Sequence, residues 1–339
     1  MNTLMPRSRQ SGVGLIELMV ALVIGLFLIL GAITVFSQSR TTYRTAESVA
    51  RLQEIGRLAM DVVETDVRMA DFWGMSNRAD YIVNRTPPGQ TPPATFSGTQ
   101  QANAAVCGTT SAPGNYFVLN LDEYIGGSNN SYGLTCLPAT GFPHRAGTDA
   151  LWIRRANSDQ PTTMDVDRIY LQTSRIQGTL FVPGCTSPTN LACIPADYLP
   201  PASQSRELEA HVYYVSSAST NRTDVPSLRR KRFANVNGAT ADAFIDEEIV
   251  PGVEDLQVRL GIDTNGDTNI DQYVNPGAVP ANASVVSATI WLRIRAEERE
   301  IGFVDGATYQ YAGNAALTPN DNYRRILLTK TIHIRNTRA

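Results

Sequence analysis

One carboxylate in this chain sits where hydropathy alone would not put it. From Val13 to Phe36 the only charged side chain is Glu17. An ionised group at mid-membrane costs roughly 3 kcal/mol, so an acid kept in such a stretch marks a functional site. A second set of chemically capable residues is Asp263, Asn265, Asp267, Asn269 and Asp271, which places oxygen side chains at alternate positions of one loop. Alternate residues of a tight coil converge on a hard cation, and three carboxylates suit Ca2+. The sixth position is Thr268 where an EF-hand has Gly, and the twelfth is Val274 where a bidentate acid would complete the shell. The affinity expected of such a loop is modest. The same stretch also reads as a hairpin that needs no metal, because Asn265-Gly266 between Leu256–Ile262 and Ile270–Val274 is a two-residue turn signal.

The four cysteines, Cys107, Cys136, Cys185 and Cys193, form no Cys-x-x-Cys pair, and His144, His211 and His333 are scattered. That pattern argues for disulfides over zinc. Three pairings are open. The pairing of sequence neighbours, Cys107 with Cys136 and Cys185 with Cys193, is the expectation, and it would stabilise loops with little core by about 3.6 and 2.6 kcal/mol. A catalytic constellation is missing: there is no Gly-x-Ser-x-Gly, no Gly-x4-Gly-Lys and no His-Glu-x-x-His. The adjacent acids Glu247-Glu248 and Glu297-Glu298 read as solvated surface, so the chain is expected not to be an enzyme. Arg229-Arg230-Lys231-Arg232 reads as a solvated strand or hairpin edge, and without interleaved aromatics it does not predict nucleic-acid binding. The net charge of -3 points the same way.

The element that carries Glu17 must be a helix crossing a membrane. At 1.5 Å per residue the span from Val13 to Phe36 covers about 36 Å, against a hydrocarbon core of roughly 30 Å. It contains sixteen Leu, Ile, Val or Phe residues. At about 0.3 to 0.6 kcal/mol each they outweigh the acid. Arg7 and Arg9 precede the span, so the leader stays in the cytoplasm and the remainder crosses. A cleaved secretory signal would have a shorter apolar core and an Ala-x-Ala-like site. A plain anchor would leave the spacing of Gly12 and Glu17 without a reason. Beyond Phe36 the helix continues in water: Val49, Leu52, Ile55, Ala59, Val62, Val63 and Val67 recur at three- and four-residue steps.

Gly12-Val13-Gly14-Leu15-Ile16-Glu17-Leu18 resembles the processing signal of type IV prepilins and pseudopilins, in which a peptidase cuts after the Gly and the fifth mature residue is Glu. Those families usually begin the mature chain with Phe-Thr, and this one has Val13-Gly14. The resemblance implies cleavage after Gly12, methylation of Val13, and a Glu17 carboxylate that neutralises the new amine of a neighbouring subunit and so sets the stagger in a fibre. The segment Arg51 to Gly74 resembles the second half of the helix in PilW-type minor pilins and, more distantly, J-type pseudopilins. Those proteins often continue with Ala-Gly-aromatic-x-Gly-Cys, where this chain has Ala70-Asp71-Phe72-Trp73-Gly74-Met75 and lacks the Cys.

The rest of the chain is expected to be β-rich. Asn77 to Thr148 is dense in Pro, Gly, Asn, Thr and Ser and reads as long loops with one short strand near Tyr116 to Leu121. Alternation and β-branching place strands at Ala150–Arg155, Arg168–Thr173, Thr179–Val182, Ala210–Ser216, Leu228–Phe233, Leu256–Ile262, Val285–Arg295 and Arg325–Ile334. The fold class is α+β and pilin-like: a long N-terminal helix, its first half in the membrane, packed on one mainly antiparallel sheet with disulfide-tied loops. The divisions expected are a cytoplasmic leader 1–12, a transmembrane helix half 13–36, an amphipathic half 37–74 and a periplasmic head 75–339. The resemblance implies a minor pilin acting in pilus assembly or at the tip, supporting twitching motility or adhesion. Its partners would be other minor pilins and pilin subunits through the N-terminal helix, the prepilin peptidase, a tip adhesin and the inner membrane, before passage to the pilus or cell surface. The alternatives are a pseudopilin of a type II secretion system and a membrane-tethered, calcium-dependent adhesive module.

Overall fold

The computed structural model describes Gly12 and residues 14–76, 78–109, 116–187, 193–195 and 202–337. Residues 1–11 of the leader and Val13, the expected first mature residue, lie outside the described residues. By internal contacts the chain forms two units, Met1–Arg51 and Leu52–Ala339. Helix α1, Leu15–Met69, contributes to both.

In the first unit every apolar side chain of α1 from Leu15 to Phe36 is exposed, Leu15 at 78% and Phe36 at 65%. An 18-residue window of mean hydropathy 2.9 fits a bilayer span. The helix starts with Leu18 N–H donating to Gly14 C=O (3.1 Å). Thr34, the polar residue of the apolar run, turns its hydroxyl back to Gly31 C=O (2.8 Å), so this hydroxyl is not left unpaired toward lipid.

Among the described residues the second unit adds a short helix, α2 (Gly98–Ala104), and twelve strands. These are β1 (Ile82–Val83), β2 (Ile125–Ser128), β3 (Ala150–Ala156), β4 (Tyr170–Thr173), β5 (Gly178–Phe181), β6 (Gln204–Ser216), β7 (Ser227–Phe233), β8 (Phe244–Pro251), β9 (Val253–Asp263), β10 (Gln272–Val274), β11 (Ser284–Arg295) and β12 (Arg325–His333). They build two sheets where the sequence suggests one. The larger runs β1-β5-β4-β6-β3-β2, with β7 paired to β6 and β8; the smaller runs β10-β9-β11-β12. All pairs are antiparallel except β1 with β5.

The periodic face of α1 explains the layering. Leu52, Ala59, Met60, Val63 and Val67 share a core with Leu151, Ile153, Tyr213 and Val215 of the large sheet and Leu256, Val258, Ile290 and Leu292 of the small one. Gly56 lies so close to Leu328 and Ile294 that a Cβ there would collide with Leu328 Cδ1. The opposite face of the large sheet is covered too, by loops that carry Trp73, Phe96, Phe117 and Leu119 over Trp152, Val212 and Tyr214. With both faces buried, the β6 run Ala210–Ser216 shows no polar alternation.

Several expectations are corrected. Tyr116–Leu121 is a turn, not a strand, because the N–H groups of Leu119 and Asn120 both bond back to Tyr116 C=O (2.9 and 3.0 Å). Gly126-Gly127-Ser128 is strand β2, not loop; a Cβ on Gly126 would collide with the Trp152 indole, so the glycine is there for close approach. The loop-rich region also holds α2, whose Ser97 and Gln100 form a capping box that the Ser-x-x-Gln spacing could have disclosed. Strand β8 and the first half of β6 escaped because their charged residues hide the alternation.

Candidate functional site

Glu17 lies in the first turn of α1 and is exposed, as are the Leu, Ile, Val and Phe residues around it. An exposed apolar helix face with one acid cannot be a folded interior. Such a face suits lipid or other helices of the same kind. Gly12, the residue before the expected cut, is exposed as well.

The disulfides join Cys107 to Cys136 and Cys185 to Cys193, with Cα separations of 4.5 and 4.8 Å. The first ties α2's exit to the loop after β2, over the core built on Trp152. The second closes the loop after β5, where Cys193 and Ile194 pack on Met164 and Tyr170.

At the acidic loop the structure shows a hairpin tip between β9 and β10. Asp263 Oδ1 accepts from the N–H groups of Asn265 (3.0 Å) and Gly266 (2.7 Å), and its Oδ2 accepts from Thr268 N–H (2.7 Å). Asn265 Oδ1 and Asp267 Oδ1 repeat the pattern on the N–H groups of Asp267 and Asn269 (2.9 and 2.8 Å). Asp271 Oδ2 accepts from Thr264 N–H (2.8 Å). Gly266, at φ 82°, supplies the left-handed conformation the tip needs. The tip is closed by its own backbone, whether or not a cation joins it.

The sequence reading missed a buried polar clamp between α1 and the large sheet. Asp66, 3% exposed, accepts at Oδ1 from Arg155 Nε (3.0 Å) and Nη2 (2.8 Å). Its Oδ2 meets His211 Nδ1 (2.6 Å) and accepts from the Tyr213 hydroxyl. Glu209 also pairs with Arg155. Asp66, Glu209 and His211 offer ligand atoms within 4.8 Å of one another, the reach of a metal site, but the Arg155 guanidinium already stands between the two carboxylates as their cation. Burial alone would push the Asp66 carboxyl up; His211, Arg155 and the Tyr213 hydroxyl overcome that and hold it well below the usual carboxylate range. A depressed acid contributes stability above its unfolded pKa of about 4, and that stability is lost as pH falls below it. Asp66→Asn is expected to cost about 3 kcal/mol at pH 7. The gap between wild type and variant should narrow as thermal melts are taken from pH 5 down to pH 2. A gap that stays constant across those melts contradicts the clamp.

The basic cluster is not the solvated edge expected of it. It is strand β7, an interior strand between β6 and β8. Arg229, 3% exposed, binds Asp246 (2.9 Å) and Glu248 (3.5 Å) and lies over the Phe142 ring. Arg230 binds Glu247 (2.5 Å) on the other face, and Lys231 reaches Leu137 C=O. The adjacent acids Glu247-Glu248 therefore divide between two faces as cross-strand partners, and are not free surface carboxylates.

An exposed apolar helix with an acid in its first turn, and a two-sheet α+β head under the helix's second half, is a pilin-like build. Its residues 7–33 match the prokaryotic N-terminal methylation motif, and residues 212–336 match the family described as type IV pilus-assembly protein W. Both matches support a type IV pilus minor pilin of the PilW type, the family that the sequence resembles. The second match runs from within β6 through β12, the half of the head that contains the small sheet, and not the Arg51–Gly74 helix segment that carried the resemblance in sequence. Comparison with curated proteins and with solved structures finds no match.

Proposed function

We propose that this minor pilin works in the initiation of pilus assembly or at the pilus tip, held in the inner membrane by its N-terminal helix with its head in the periplasm, and cleaved after Gly12. The observation that carries this reading is Glu17, a lone acid on an exposed apolar helix, one turn beyond the position where processing would release an amine. In an assembled array the carboxylate of one subunit neutralises the amine of another, and the apolar faces pack. The two disulfides support a periplasmic head, since such bonds persist in oxidising compartments. Mass spectrometry of the chain recovered from membranes tests the reading: a mature N-terminus at Val13 carrying one added methyl group is expected, and an intact leader refutes it. Loss of twitching with secretion intact would separate a pilus role from that of a secretion pseudopilin.

A calcium ion at the Asp263–Asp271 tip is proposed as an accessory to this role, on the alternate spacing of its oxygen side chains. Millimolar calcium should raise the melting temperature of the wild-type head and leave Asp267→Ala unmoved. Identical melts with and without calcium remove the proposal.

A further inference from the structure

The outer edge of β12 is open, and its hydrogen-bond phase can be read from its ends. Ile334 N–H donates to Val286 C=O (3.0 Å) and Ala296 N–H donates to Arg324 C=O (2.8 Å). Both pairs extend by one step the unbroken register that runs from Ser287 opposite His333 to Arg295 opposite Arg325. Directly opposed residues of an antiparallel ladder alternate between bonded and non-bonded pairs. Ile326, Leu328, Lys330 and Ile332 therefore turn their backbone groups to β11, and Leu327, Thr329, Thr331 and His333 turn theirs outward. Among the described residues no backbone or side-chain group meets that outward row.

Natural edge strands are protected by charge, proline, bulges or a covering segment. This one has no proline and no bulge, and Thr329, Thr331 and His333 are exposed. Its one cation in the exposed half, Lys330, is drawn onto the helix by Glu64. We infer that the β12 edge is an assembly surface that takes an extended strand from a neighbouring, different pilin-class subunit. This rests on the pilin reading above.

The helix decides which partner fits. Gly56 adjoins Leu328, Glu64 pairs with Lys330, Arg68 C=O accepts from Arg335 N–H (3.4 Å) and Ala70 C=O from Asn336 Nδ2 (3.2 Å). The numbers rise together, so β12 runs in the same sense as the Leu52–Met69 part of α1. Two copies pairing β12 with β12 antiparallel about a two-fold axis would set those helix segments antiparallel. Subunits anchored through the same end in one membrane have them parallel. A second copy could instead offer β10, which runs opposite to β12 through the antiparallel β9 and β11, but its three residues would cover a third of the nine-residue edge. A different pilin-class chain, with a longer edge strand running against its own helix, satisfies both conditions by main-chain bonding.

The test places a photoreactive phenylalanine at Thr329 or Thr331 of the full-length chain in its native membrane, with the exposed Ile176 as the control position. Adducts mapped by mass spectrometry to a strand of another chain that itself bears a methylated prepilin N-terminus are the expected result. Adducts to a second copy, to a protein without that N-terminus, to lipid, or none above the Ile176 level overturn it. Thr329→Pro removes an outward N–H and leaves the bonds to β11, so the adduct from Thr331 should fall about fivefold, the worth of one hydrogen bond, without loss of fold. If that variant does not fold, the mapping at Thr331 decides alone. Methylation of Val13 measured on the same sample separates failure of the edge proposal from failure of the pilin reading.

Discussion

Glu17→Gln should leave the chain in the inner membrane and remove it from fibres. Amide replaces carboxylate with little change of volume, and the apolar run from Leu15 to Phe36 inserts at least as well without the charge. On the role proposed for Glu17, what is lost is the counter-charge for a neighbour's N-terminal amine. Breaking a buried pair by removing one partner costs about 3 to 5 kcal/mol, so incorporation should fall by about a hundredfold or more. Immunoblots of sheared fibres against membranes measure the ratio. Leader cleavage should be intact, which distinguishes an assembly defect from a processing defect. Normal incorporation of Glu17→Gln, or of Glu17→Leu, would show that the acid serves something else.

The largest stability effect is expected at Arg325. Its side chain is 2% exposed and is held by three carboxylates: Nε to Glu254 (2.7 Å), Nη1 to Asp321 (2.6 Å) and to Asp305 (3.2 Å). Glu254 is itself shared with Arg293 (3.2 Å) and Arg145 (3.3 Å). This hub fastens residues 296–324, the long connection between β11 and β12, to the small sheet. Tyr311 and Tyr309 add hydroxyl bonds to Asp255 and Asp305 in the same layer. Arg325→Met keeps much of the apolar stem and leaves Glu254 and Asp305 buried with one cation fewer. A loss of about 4 kcal/mol, or roughly 10 °C in melting temperature, is expected for a head of this size. Adding Glu254→Gln to the variant should recover part of that loss, because the charge then left uncompensated is gone. A shift of under about 2 °C for the single variant would mean the network contributes geometry without energy.

Which features were readable in the chain follows from the range of the forces that make them. The membrane span, the isolation of Glu17, the continuation of α1 to Met69 and the antiparallel character of the head all come from local composition or from periodicity along one element. A helix's buried stripe repeats every three or four residues whatever it packs against. The tertiary structure alone decided the rest. Asp66 meets His211 across 145 positions, and Arg325 meets Glu254 across 71. Arg229 to Arg232 reads as surface until β8 supplies its acids and β6 its other edge. The openness of β12 is likewise a fact about where the sheet stops. Pairings between distant strands are set by which registers bury the most apolar surface while satisfying every charge, and that competition leaves no local periodic trace in the strands that win it.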